Sequence, residues 1–309
     1  MPAPLRGTQS LVGQMGWVFE RPSLTAIEVA WRWVFGIPFL LVCWMQAQRI
    51  LIAAPLESAG LTSLDPQNPW VTAAQLAHAW ALYLPHVSAV LRWLLPVAAL
   101  AWVVVSGLGR SLVLVRLGAN AESRLRFRPL AMIVLQATWL ALFAAIVWGW
   151  LCSMQWAAAT HIPAAGGEPD LVGFSGWAIF LSLGFFTAWA LVSWPVAIAP
   201  ILMLFEDCNP AQALACSLRL GKPFTGKLIE INLVMGIVKL ALLVLAMVLS
   251  AAPLPFSDQL GAETLHWITA VAAIFYLVAS DYFQVVRLKG FIEFWKMFRV
   301  QEVSEVTES

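Results

Sequence analysis

The sequence predicts an all-α, polytopic transmembrane helix bundle of about six spans, with short interfacial helices and both termini in the cytoplasm. Composition is the first sign. Of 309 residues, 61% are hydrophobic and 11% charged, against about 45–50% and about 25% in soluble domains. So few charges cannot cover a water-facing surface of this size, and the mean hydropathy of +0.80 agrees. Length is the second sign. Six apolar stretches, at 27–52, 86–109, 129–158, 174–200, 228–251 and 265–286, reach the roughly 20 residues that a bilayer crossing needs. The third sign is where the cations fall.

Arg6 and Arg21 precede the first stretch, and Arg110, Arg116, Arg124, Arg126 and Arg128 lie between the second and third. Arg219, Lys222 and Lys227 lie between the fourth and fifth, and Arg287, Lys289, Lys296 and Arg299 follow the sixth. The alternate loops hold no Lys or Arg and carry Glu57, Asp65, Glu168, Asp170, Asp258 and Glu263. Basic residues are retained on the cytoplasmic side, so the alternation predicts a multi-pass inner (plasma) membrane protein. Residues 1–26 form a cytoplasmic or interfacial segment, 27–286 the transmembrane domain and 287–309 a cytoplasmic tail. The apolar stretch after Arg21 is long enough to stay in the membrane, so no cleavable signal peptide is expected.

Prolines and polar clusters separate the spans. Pro55 to Pro69 divides the first from the second, Pro129 opens the third, and Pro253 and Pro255 end the fifth. Residues 9–20 mix Leu11, Val12, Met15, Val18 and Phe19 with Gln9, Ser10, Gln14 and Glu20, which fits a helix lying flat at the inner surface. Residues 71–84 and the tail around Phe291, Phe294, Trp295 and Phe298 are similar candidates. Asn209 as N-cap, Pro210 at the first helical position and Gly221 past the end define a short cytoplasmic helix over about 210–220. Leu214 and Leu218 share one of its faces.

Charges inside spans are costly and mark functional candidates. Lys239 falls near the middle of the fifth span with no acid of its own span within a turn. It must face a polar interior, pair with another span or lose its proton. With Gln136, Glu230 and Asp281 it forms the candidate intramembrane polar site. Glu28 and Arg32 can pair at i, i+4, and Arg49 and Arg92 lie toward the outside. Ala137, Ala141, Ala145, Gly149, Ser153 and Ala157 form a small-residue stripe in span three, suited to close helix packing or a dimer seam. Pro195 and Pro200 kink span four.

His78, His86, His161 and His266 come from separate outer segments without metal-ligand spacing, and the four cysteines form no CxxC pair, so no metal or other cofactor is expected. GxSxG, HExxH and a phosphate-binding glycine loop are all missing, and no loop is long enough for a soluble catalytic domain. An enzyme is therefore not expected. The reading is a non-enzymatic scaffold that organises lipid or partner proteins, with Arg124, Arg126, Arg128, Arg219, Lys222 and Lys227 as anionic-lipid contacts. The alternative is a small transporter or channel with a polar path around Lys239. Expected partners are the bilayer, a second copy or other membrane proteins, and no nucleic acid.

One stretch carries a family likeness. Pro195 and Pro200 are followed by Leu204-Phe-Glu206-Asp-Cys-Asn-Pro210, then Ala213-Leu214, Ser217 and Leu220-Gly221-Lys222. This resembles the membrane domain associated with glycerophosphoryl diester phosphodiesterases and found in related six-span bacterial proteins. The likeness covers about 30 residues. No phosphodiesterase domain is attached here, so it implies a membrane module and not that activity.

Overall fold

The computed structural model describes residues 7–61, 69–119, 126–162, 170–219, 222–251 and 262–308. Among them the fold is all-helical: α1 (Gly7–Phe19), α2 (Pro22–Ala53), α3 (Pro69–Ala119), α4 (Pro129–His161), α5 (Leu171–Phe205), α6 (Pro210–Arg219), α7 (Lys222–Ala251) and α8 (Ala262–Glu308). Five helices are long and apolar enough to cross a membrane: α2, α3 from Gln75, α4, α5 and α8 from His266. The remaining expected span lies in α7, which is 30 residues long; its described apolar run, Val234–Val248, is shorter than a crossing.

Two expected interfacial helices are not separate elements. Residues 71–84 belong to α3, and the tail segment from Arg287 onward continues α8 without a break. At 51 residues α3 is roughly 77 Å long at 1.5 Å per residue, far more than the ~30 Å hydrocarbon layer. It runs through Pro85 and Pro96. Each proline removes one backbone donor, and near the first the Ser88 hydroxyl donates to the Pro85 carbonyl at 2.9 Å.

The chain divides into two compact units, one of Met1–Val29 with Gly107–Ser309 and one of Ala30–Ser106. In the smaller unit Trp102 packs against Trp31 and Phe35, with ring centroids 5.7 and 5.2 Å away. The Tyr83 hydroxyl donates to the Ala54 carbonyl at 3.0 Å.

In the larger unit α4 and α5 form an antiparallel pair. Trp139 and Phe143 meet Trp189, Trp150 Nε1 donates to the Ser182 hydroxyl at 3.0 Å, and Trp156 meets Trp177. The small-residue stripe divides between two environments. A Cβ on Gly149 would sit 2.9 Å from Phe185, and Ala157 is buried, so this part packs within the chain. Ala137, Ala141 and Ala145 are exposed.

The densest core lies at one end of this unit. Buried there are Val113 and Leu117 of α3, Met132 and Leu135 of α4, Ile198, Ala199, Ile201, Leu202, Met203 and Leu204 of α5, and Val285, Val286, Leu288, Phe291 and Ile292 of α8. The far halves of α4, α5 and α7 expose Trp148, Phe180, Leu183, Phe186 and Leu240 instead. Such surfaces suit a lipid solvent, in which apolar burial drives nothing and close packing does the work. The helix α6 packs on α5 and α4. Ala213 and Ser217 face inward, while Leu218 is exposed. Small side chains let α6 approach closely, and Ser217 satisfies its hydroxyl on the Leu214 carbonyl at 2.7 Å.

Helices α3 and α4 approach closely at Gly107. A Cβ there would lie 2.6 Å from Ile133 Cγ1 and 2.9 Å from its Cα. Backbone cannot yield as a flexible side chain does, so Gly107→Ala should cost about 1–3 kcal/mol. Gly36→Ala, whose Cβ meets nothing within 4 Å, should cost nothing. Heat-induced loss of the monodisperse species in detergent would measure both.

Candidate functional site

The polar residues hidden in the larger unit gather near its dense end. Buried among apolar neighbours are Gln14, Glu28, Ser111, Gln136, Ser217, Asp281, Gln284 and Lys289. Hidden polar groups require partners, and several are visible. Lys239 of α7 donates from Nζ to Gln284 Oε1 of α8 at 3.3 Å. Asp281 stands three residues before Gln284 on the same helix and is 4% exposed. Lys239 therefore pairs with another helix, one of the outcomes its position allows. Glu230, nine residues earlier on α7, is exposed. Gln136 is buried on the first turns of α4. The observed contact thus joins Lys239 to Gln284, a residue absent from the predicted set. Its sequence signal was its spacing: Gln284 follows Asp281 by three residues, so the two lie on neighbouring positions of one helix face.

A second group ties α1 to α8. The Tyr282 hydroxyl donates to the Met15 carbonyl at 2.8 Å. The Trp17 ring meets Arg21 Cζ at 4.1 Å and Lys289 Nζ at 4.2 Å from its centroid. Cations over an indole face are attracted by its quadrupole. Lys289 also bonds Glu293 Oε1 at 2.5 Å. Farther along α8, Trp295 packs on Phe205 at the end of α5, with centroids 4.9 Å apart.

The expected lipid-contacting cations fall in three situations. Arg126 and Arg219 are exposed. Arg128 is engaged: it pairs with Asp207 at 2.5 Å and donates to the Cys208 carbonyl at 3.5 Å. Asp207 has φ +53°, a left-handed conformation that Asp tolerates better than most side chains, so Arg128 pins the turn between α5 and α6. The following turn is capped by the Asn209 N–H donating to Gln212 Oε1 at 3.1 Å. Arg124 and the side chains of Lys222 and Lys227 lie outside the described residues.

The Cys208 thiol in this turn is pushed up by burial, with Glu206 adding to the shift. A raised thiol is a poor nucleophile at neutral pH. Among the described residues no group of three or more His, Cys, Asp and Glu is placed to hold a metal. His161 instead meets Asp170, Nδ1 to Oδ2 at 3.0 Å, where α4 gives way to α5. Asp170 also accepts the Gly173 N–H at 2.8 Å as the N-cap of α5. No family model, curated protein or solved structure matches this chain.

The Asp170 carboxyl is held below its ordinary value of 3.8, chiefly by the Gly173 N–H and then by His161. A lowered folded-state value means that the cap contributes fully above 3.8 and is lost as pH falls through the lower folded value. Exchange of the Gly173 amide, corrected for its intrinsic rate, should therefore accelerate below pH 3.8. Asp170→Ala should produce the same acceleration at neutral pH.

Proposed function

We propose that this chain is a non-enzymatic module of the inner membrane, with its basic end in the cytoplasm, that organises anionic lipid or partner proteins at that face. The supporting observation is that exposed cations stand on the one densely packed end. Arg126 precedes α4 and Arg219 ends α6, and both helices pack on α5. A rigid base holds positive charge at fixed positions, whereas the opposite helix halves present apolar side chains suited to lipid tails. Each such cation adds about 1 kcal/mol of attraction to an anionic surface. The proline-bearing α5, the acidic turn and short α6 also support grouping the chain with the phosphodiesterase-associated membrane domains.

Neutralising Arg126 and Arg219 together to Gln should weaken retention of anionic phospholipid by about 2 kcal/mol, or roughly 30-fold. The loss should shrink as salt screens the wild-type charges. Lipid exchange between nanodiscs of phosphatidylglycerol and phosphatidylcholine, read by native mass spectrometry, measures it. Unchanged lipid preference would count against the proposal.

The alternative, a small transporter or channel, draws on the Lys239–Gln284 contact beside buried Asp281. A polar tie between two apolar helices is where a path would run. Lys239→Met should then abolish solute-driven currents across planar bilayers containing the protein, with the helix content unchanged. Wild-type bilayers without such currents would remove this alternative.

A further inference from the structure

Among its described side chains, α1 buries Gln14 with Val18 and shows apolar Val12 and Phe19. It contains no charged residue. Its Gln14 is 9% exposed, whereas Val12 and Phe19 are 68% and 78% exposed. Val12, Gly16 and Phe19 are spaced four and three apart and share a face; Gln14 and Val18 share the opposite one. A Cβ added at Gly13 or Gly16 would meet nothing within 4 Å. Among the described residues nothing covers Val12 or Phe19 enough to bury them.

The hidden face is fastened to α8. Tyr282 bonds the Met15 carbonyl, and Lys289 sits over Trp17. Gln14 approaches Gly290 so closely that a Cβ there would lie 2.8 Å from its Oε1. An amphipathic helix packed on a water-soluble body turns the other way, apolar side in and polar side out. The same inversion occurs in α4, where Gln136 is buried and Leu130 and Val134 are exposed. There the exposed side belongs to a helix long enough to span. At 13 residues α1 is only roughly 20 Å long, too short for the ~30 Å layer. Its charges come just after it: Glu20 and Arg21 have side chains 75% and 38% exposed. Trp17 beside Arg21 is the pairing favoured at headgroup level.

We infer that α1 is immersed in a single leaflet, at the basic end of the bundle, with Val12, Gly16 and Phe19 against lipid acyl chains and Glu20 and Arg21 among the headgroups. The occupant of its open face is the bilayer itself. This rests on the membrane-spanning reading and is independent of the lipid-organising role. Tied to α8 on one side and to lipid on the other, α1 couples leaflet packing to the helix that carries Asp281, Gln284 and Lys289.

The test uses the full chain with its four cysteines replaced by alanine, in phosphatidylcholine–phosphatidylglycerol nanodiscs. Phe19→Cys carries an environment-sensitive fluorophore, and Val34→Cys, on the exposed side of α2, is the reference for a span. At position 19 we expect blue-shifted emission, loss of iodide quenching and stronger quenching by nitroxides near the lipid carbonyls than by nitroxides at chain ends. A water-like signal at 19 with a lipid-like signal at 34 overturns the inference and leaves the membrane reading standing. Water-like signals at both overturn the membrane reading and the inference with it. Efficient disulfide formation between unlabelled Phe19→Cys chains would put a second copy on the ridge, which also overturns it.

Discussion

Hydrocarbon offers no hydrogen bonds, and the whole architecture answers to that constraint. Every backbone amide within the layer must find its partner inside the chain, and helices provide this for a single segment. Hydroxyls follow the same rule. Thr138, Ser153, Thr160 and Thr187 each turn back to the carbonyl four residues earlier, at 2.8 to 3.0 Å. The long α2, α3 and α5 carry prolines without ending. A proline's missing bond is a local loss, whereas ending a helix in lipid would expose several unsatisfied groups at once.

The same constraint explains why polar side chains point inward here. In water, Gln14, Gln136 and Gln284 would be expected on the surface. In lipid the interior is where their partners are. Lys239 illustrates the gain, since α7 offers it no acid within a turn and α8 supplies an amide oxygen. Small residues then set how near the helices can come. Gly107, Gly149 and Gly290 each stand where a Cβ would press on a neighbouring element, and dispersion across such close contacts replaces the hydrophobic drive that lipid removes.

Packing is uneven. The end that gathers α5, α6 and α8 is closely built and is locked by the Arg128–Asp207 pair and the Phe205–Trp295 contact. The opposite halves of α4 and α5 touch mainly each other through aromatic pairs and leave broad apolar flanks. Within the larger unit, apolar flanks of this kind suit a lipid solvent.

What the sequence determined by itself was the solvent and the secondary structure. Apolar runs of spanning length, separated by prolines and polar loops, dictate helices because lipid permits little else. The start of the short helix was equally legible, since Asn209 and Pro210 act on neighbours within one turn. Faces and partners were decided only in three dimensions. Spacing put Leu214 and Leu218 on one face of α6 but could not say which face is hidden; Ala213 and Ser217 are, because close approach rewards small side chains there. A helix at residues 9–20 was foreseen, but not that it would bury Gln14 and show Phe19. Nor could Lys239 announce Gln284, 45 residues away. Local chemistry is written in adjacent residues, while the choice of neighbour depends on shape and distance between segments far apart in the chain.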